Sequence, residues 1–138
     1  MLLYHMITTV WLAIISVFDI KSRRVSVWLL VIGGVIALPA IRWCCIAREY
    51  LDLLKGMLPG LLFLAVAFFT RKAGYGDGVV LLILGMVTKG KVAVLFGVSL
   101  FLISIFSIVL LTFHKVNRNT KMPYLPFLAA AWLLAMNL

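Results

Sequence analysis

Acidic residues are nearly missing from this sequence: Asp and Glu together number four against thirteen Lys and Arg, and charged residues of both signs make up only 12% of 138 positions. So little charge excludes an ordinary soluble domain, in which about a quarter of residues are charged. The two cysteines, Cys44 and Cys45, are neighbours in the chain. A bridge between adjacent residues is geometrically difficult, and no CxxC pair is present to hold zinc, so both read as passive packing or interfacial residues. Histidine is as scarce, with only His5 and His114, which fall on opposite expected sides. With no HExxH and no Cys cluster, the sequence offers no metal site and calls for no cofactor. Ser16, Ser99, Ser104 and Ser107 lie in apolar stretches with no His or Lys placed to activate them, which argues against a serine nucleophile. No internal repeat and no low-complexity linker is visible.

What is present is apolar. Hydrophobic residues make up 65% of the chain and the mean hydropathy is +1.20, values that belong to an integral membrane protein. A spanning helix needs about 20 mostly apolar residues, so the chain accommodates about six short spans, expected at 2–18, 27–43, 56–70, 78–88, 92–113 and 123–138. The fold class that follows is all-α, a polytopic helical bundle forming a single membrane-embedded domain over residues 1–138. The fourth expected span is too short to cross unless the "GYGD" loop before it lies within the membrane or the bilayer thins. The opening stretch, "MLLYHMITTVWLAIISVF", lacks a basic leader region and a small-residue cleavage site, so it reads as a retained first span. The adjacent Gly33 and Gly34 offer material for helix packing, as does "GMLPG", in which Gly56 and Gly60 form a small-xxx-small pair.

The net charge of +9 would suggest nucleic acid in a soluble protein, but the basic residues cluster between apolar runs, a pattern that topology explains better. Lys21, Arg23, Arg24, Arg71, Lys72, Lys115, Arg118 and Lys121 fall on one side, and Arg42, Arg48, Lys55, Lys89 and Lys91 on the other, eight against five. The positive-inside tendency puts the first group in the cytoplasm and both termini outside. Trp28 and Trp43 stand near the two ends of the second span, where amphipathic rings settle at interfaces. The expected partners are thus the lipid bilayer and not nucleic acid.

The four acids divide into two kinds. Glu49 and Asp52 belong to a polar outer loop with Arg48 and Lys55 and need no further explanation. Asp19, in "ISVFDIKSRR", ends the first span, and Asp77, in "AGYGDGVVLLILG", opens the fourth, so both fall at the same, cytoplasmic edge. Each has a structural reading: Asp19 as an interfacial charge paired with Lys21 or Arg23, Asp77 as the N-cap of its helix. Ionisable groups at membrane depth are costly, however, by roughly 2.5–3.5 kcal/mol at mid-membrane, and tend to mark function. When two carboxylates share a site, one can act as general base on a water while its protonated partner polarises a peptide carbonyl, which is the chemistry of aspartyl proteolysis. Gly74, Gly76 and Gly78 would let the chain turn sharply into the membrane and let a substrate backbone approach Asp77.

These residues resemble a known family. "GYGD" ahead of an apolar helix is similar to the GxGD signature of the type IV prepilin peptidases. "DIKSRR" resembles that family's first catalytic-aspartate segment, and "MPYLPFLAAAWLL", with Pro123 and Pro126, resembles the segment opening its final helix. The resemblance implies Asp19 and Asp77 as the catalytic pair, Gly74 and Gly76 as the supporting loop, and a short form without the N-methylation domain. It also implies an aspartic endopeptidase of the cell (inner) membrane, cutting at the cytoplasmic face. Its substrate would be a prepilin or pseudopilin with a basic leader and a hydrophobic helix, serving type IV pili or protein secretion. Ser26 and Val27 stand where members commonly have Pro-Asn, and Val79 where they commonly have Lys; these departures bear on substrate preference. The alternative readings are a small proton or cation transporter using Asp19 and Asp77, and a presenilin-type intramembrane protease, whose Pro-Ala-Leu element this chain replaces by "MPYLPF".

Overall fold

The computed structural model describes residues 2–22, 25–47, 49–71, 74–88, 91–113 and 123–137. Of the basic residues that set the expected topology, Arg23, Arg24, Arg48, Lys72, Lys89, Lys115, Arg118 and Lys121 lie outside the described residues, as does His114.

Among the described residues there are six helices and no strand: α1 (Leu2–Ser22), α2 (Val27–Ala47), α3 (Tyr50–Thr70), α4 (Tyr75–Thr88), α5 (Val92–Thr112) and α6 (Leu125–Asn137). The expected all-α bundle is therefore what forms. Four helices, α1, α2, α3 and α5, are long and apolar enough to cross a membrane. Their outward faces carry bare hydrophobic side chains, among them Val35, Leu51, Phe69 and Phe101, a surface that suits lipid and not water.

Several boundaries differ from those read off hydropathy. α1 continues four residues past position 18 to Ser22, and α3 begins at Tyr50 instead of position 56, because helical backbone does not end where apolar side chains do. Asp52 and Lys55 therefore belong to the first turns of a helix and not to a loop, with Lys55 Nζ 3.8 Å from Asp52 Oδ1 on an exposed face. That (i, i+3) pair is a weak, solvated contact.

α4, with 14 residues, extends about 21 Å at 1.5 Å per residue, shorter than the roughly 30 Å apolar thickness of a bilayer. Its position removes the difficulty. After Tyr75 no residue of α4 is exposed. It packs on α3 along its length and also on α2 and α5, while α1 meets α2 and α6, α5 meets α6 and α3, and α2 meets α3. α2, α3 and α5 thus pack against α4, no residue of which is exposed after Tyr75, and a helix clothed in protein need not match the lipid around it. Leu12 and Ile15 of α1, Leu81 and Leu84 of α4, and Leu128 and Trp132 of α6 form the heart of the core.

The close fit of α4 on α3 is made by small residues, as expected for Gly56 and Gly60. A Cβ at Gly60 would lie 2.6 Å from the Leu82 Cα, and one at Gly78 would lie 2.8 Å from Leu64 Cδ2. Hydrogen bonds between helices add specificity in an apolar setting. Trp11 Nε1 donates to the Leu29 carbonyl at 2.9 Å and Tyr4 OH to the Ile36 carbonyl at 2.8 Å, joining α1 to α2. Trp132 Nε1 donates to Thr9 Oγ1 at 2.9 Å, joining α6 to α1. Trp28 and Trp43 project outward near opposite ends of α2.

Candidate active site

Asp19 sits in the last turn of α1 and Asp77 in the first turn of α4. The bundle leaves the two within electrostatic reach of each other, near enough for the charge of Asp19 to act on Asp77. Asp19 is buried, at 6% exposure, and Asp77 is half-buried. Neither is the solvated interfacial charge that a lone acid at a helix end would be. Lys21, the cation nearest in sequence to Asp19 among the described residues, is exposed.

Asp19 is engaged instead by the polypeptide backbone. The Leu125 N–H, at the start of α6, donates to Asp19 Oδ2 at 3.4 Å. A helix N-terminus presents unpaired N–H groups and a partial positive charge, so α6 supplies an anion-favouring end to a carboxylate that burial would otherwise disfavour. Its prolines sharpen this arrangement: Pro126 has no N–H, so Leu125 is the donor of the first two helical positions.

Asp77 is the third residue of α4 and not its N-cap, since the helix begins at Tyr75. Its carboxylate turns back over the glycine preceding the helix: a Cβ at Gly74 would lie 2.9 Å from Asp77 Oδ2. At Gly76 a Cβ would lie 2.8 Å from Cβ of Val25, in the connection between α1 and α2. The glycines act here through absent bulk. No described glycine has a positive φ, so the special backbone conformations expected of "GYGD" are not used, whereas the close approach is. The left-handed residue of this turn is Arg71, at φ 52°, which closes α3 with its N–H donating to the Ala67 carbonyl.

Gly78 packs against Leu64 and Phe63, which sets Asp77 about 9 Å below the end of α3 at 1.5 Å per residue. Two residues that the sequence gave no reason to select stand beside the aspartate pair. Tyr124, directly before α6, is buried; it lies in reach of the Asp77 charge and stacks on Phe63 with ring centroids 5.8 Å apart. Its hydroxyl and Ser99 Oγ of α5 are 2.7 Å apart. The sequence signal was the pair of prolines bracketing "YL", which marks a helix start with few N–H donors, but nothing local says which acceptor those donors meet.

A cavity of about 710 Å³ lies at the other end of the bundle, lined by Tyr4, His5, Trp43, Lys91 and Trp132 among others, and includes neither aspartate. Among the described residues no three His, Cys, Asp or Glu side chains gather as metal ligands would. Cys45 is exposed and unbridged.

No curated protein and no solved structure matches the chain. A family model does match, over residues 6–114, a stretch that includes both aspartates and the glycines around Asp77. The chain, a bundle with four membrane-length apolar helices, belongs to the type IV leader peptidase family.

Proposed function

We propose that the protein is an aspartic endopeptidase in which Asp19 and Asp77 jointly activate a water molecule and polarise the scissile carbonyl, removing the leader of a prepilin-like substrate. The observation that supports this reading is that two carboxylates, on helices far apart in sequence, lie within electrostatic reach of each other. Two like charges held close favour a singly protonated pair, with one group able to take a proton and the other able to donate one. The Leu125 N–H accounts for one oxygen of Asp19, leaving its other oxygen and the Asp77 carboxylate for water and substrate.

The substrate class rests on family membership and agrees with the physical setting. A pair at one end of an apolar bundle would meet the junction between a polar leader and a hydrophobic helix lying in the bilayer. On this reading the site faces the cytoplasm, the membrane is the cell (inner) membrane, and residues 1–138 act as one domain. Purified protein incubated with a peptide comprising a basic leader, a glycine and about 20 apolar residues tests it: mass spectrometry should find a single cut after the leader. Intact peptide with folded protein would refute the reading.

A further inference from the structure

The hydrogen-bonded pair Ser99 and Tyr124 lies outside the chemistry just described, yet it is the only buried side-chain pair among the described residues whose two polar atoms belong to α5 and to the segment opening α6. We propose that this pair is a positioning device for Asp19: it fixes where α6 begins, and with it the backbone N–H that Asp19 accepts. The inference rests on the reading of Asp19 as half of a catalytic pair.

The direction of the hydrogen bonds follows from proton counting. Ser99 Oγ donates to the Phe96 carbonyl at 2.8 Å, and a serine hydroxyl has one proton. The Tyr124 phenol, 2.7 Å away, is therefore the donor to Ser99. The result is a one-way chain from Tyr124 through Ser99 to the backbone of α5. The Tyr124 ring is held on its face by Phe63 of α3, with an interplanar angle of 20°. One side chain is thus pinned by two helices.

The backbone of Tyr124 is committed as well. Its carbonyl accepts from the Phe127 N–H at 3.1 Å and the Leu128 N–H at 3.2 Å, which makes Tyr124 the residue on which α6 starts. Leu125 follows directly, and its N–H is the one that meets Asp19. Ser99 at 0%, Tyr124 at 7% and Asp19 at 6% exposure form a continuous buried line.

Packing alone does not explain the phenol. Phenylalanine would stack on Phe63 equally well, and Ser99 would keep its bond to Phe96. A hydroxyl buried among apolar side chains is costly unless paired, and the pairing adds direction that packing lacks. Direction matters because the bond it sets is delicate: at 3.4 Å the Leu125 N–H is near the limit of a useful hydrogen bond, so a small shift of the α6 start would break it. Misplacement by about 1 Å in a catalytic constellation can cost about 100-fold in rate.

The test compares the full-length parent with Tyr124→Phe, Ser99→Ala and the double variant, all in lipid nanodiscs. Turnover of the leader-bearing peptide and hydrogen exchange of the Leu125 amide by NMR are both read. Tyr124→Phe is expected to lower kcat about tenfold with KM within about twofold, and the double variant to be no worse than either single, because the pair acts as a unit. The Leu125 amide should exchange about tenfold faster in each variant, while the melting temperature of Tyr124→Phe, which leaves no buried hydroxyl unpaired, stays close to the parent's. Parental kcat and parental exchange in Tyr124→Phe would overturn the proposal. So would a general loosening in Tyr124→Phe, in which the melting temperature falls and kcat and KM move together. A folded parent that cleaves nothing would overturn the peptidase reading instead, and the Leu125 exchange rate would still decide the positioning claim.

Discussion

Gly85 of α4 sits directly against the carbonyl oxygen of Gly56 on α3, with no room for a methyl group between them. The central helix can approach its neighbour this closely only because position 85 lacks a side chain, and the same approach sets the height of Asp77, two turns earlier on α4. Packing and site geometry are thus coupled through one seam.

Gly85→Ala should therefore destabilise the bundle. A methyl forced against a backbone carbonyl cannot be relieved by a rotamer change, and overpacking of this kind costs typically 1–3 kcal/mol. Gly97→Ala and Gly34→Ala are the controls, since a Cβ at either position meets nothing within 4 Å, and alanine is the better helix former. Thermal melts in one detergent should rank Gly85→Ala well below the parent and both controls at or above it.

Gly74→Ala should separate stability from activity. The added Cβ would press on Asp77 Oδ2 from 2.9 Å, and the carboxylate, being the end of a side chain, can swing away at little cost in folding. The swing moves the group on which turnover depends, so kcat should fall by tenfold or more while the melting temperature changes little. A Gly74→Ala enzyme with parental kcat would show that the Asp77 position is not critical.

The bundle itself was legible in the sequence because long apolar runs have few alternatives to membrane helices, and the scarcity of acids made Asp19 and Asp77 stand out. Their juxtaposition was legible only as two helix ends on a common side. The connection of Asp19 to Leu125, 106 positions away, was not. Helices that are apolar nearly all round have no amphipathic stripe to announce which face turns inward, so Ser99 looked like one more hydroxyl in an apolar span. The extent of α3 was missed for a related reason: Asp52 and Lys55 are polar, but they stand on an exposed helical face.

Topology has its own prediction. From the eight-to-five distribution of basic residues we expect the Ser22 end of α1 in the cytoplasm. In a background with Cys44 and Cys45 replaced by Ala, Ser22→Cys should be protected from a membrane-impermeant thiol reagent in intact cells, and Asp52→Cys, on an exposed face at the start of α3, should be labelled. The reverse pattern would invert the protein and put the aspartate pair on the outer side.

The aspartates themselves carry the sharpest expectation. If the two share one catalytic proton, they titrate as a unit, and the pH dependence of turnover belongs to the pair and not to either residue. Asn preserves the approximate shape of Asp but can neither take a proton from water nor hold one for a carbonyl. Asp19→Asn and Asp77→Asn should each abolish cleavage while the protein remains folded, and the double variant should be no worse than either single, because removing one member already disables the unit. Structural roles predict something else. Loss of the Asp19 charge opposite the Leu125 N–H would by itself weaken the α6 start, lowering the melting temperature by a few degrees without stopping turnover, since an amide oxygen still accepts the bond. Asp52→Asn, which removes only the exposed contact to Lys55, should match the parent in both rate and stability. Cleavage persisting in either single variant at parental expression would show that the two carboxylates lie in reach of each other for some purpose other than hydrolysis.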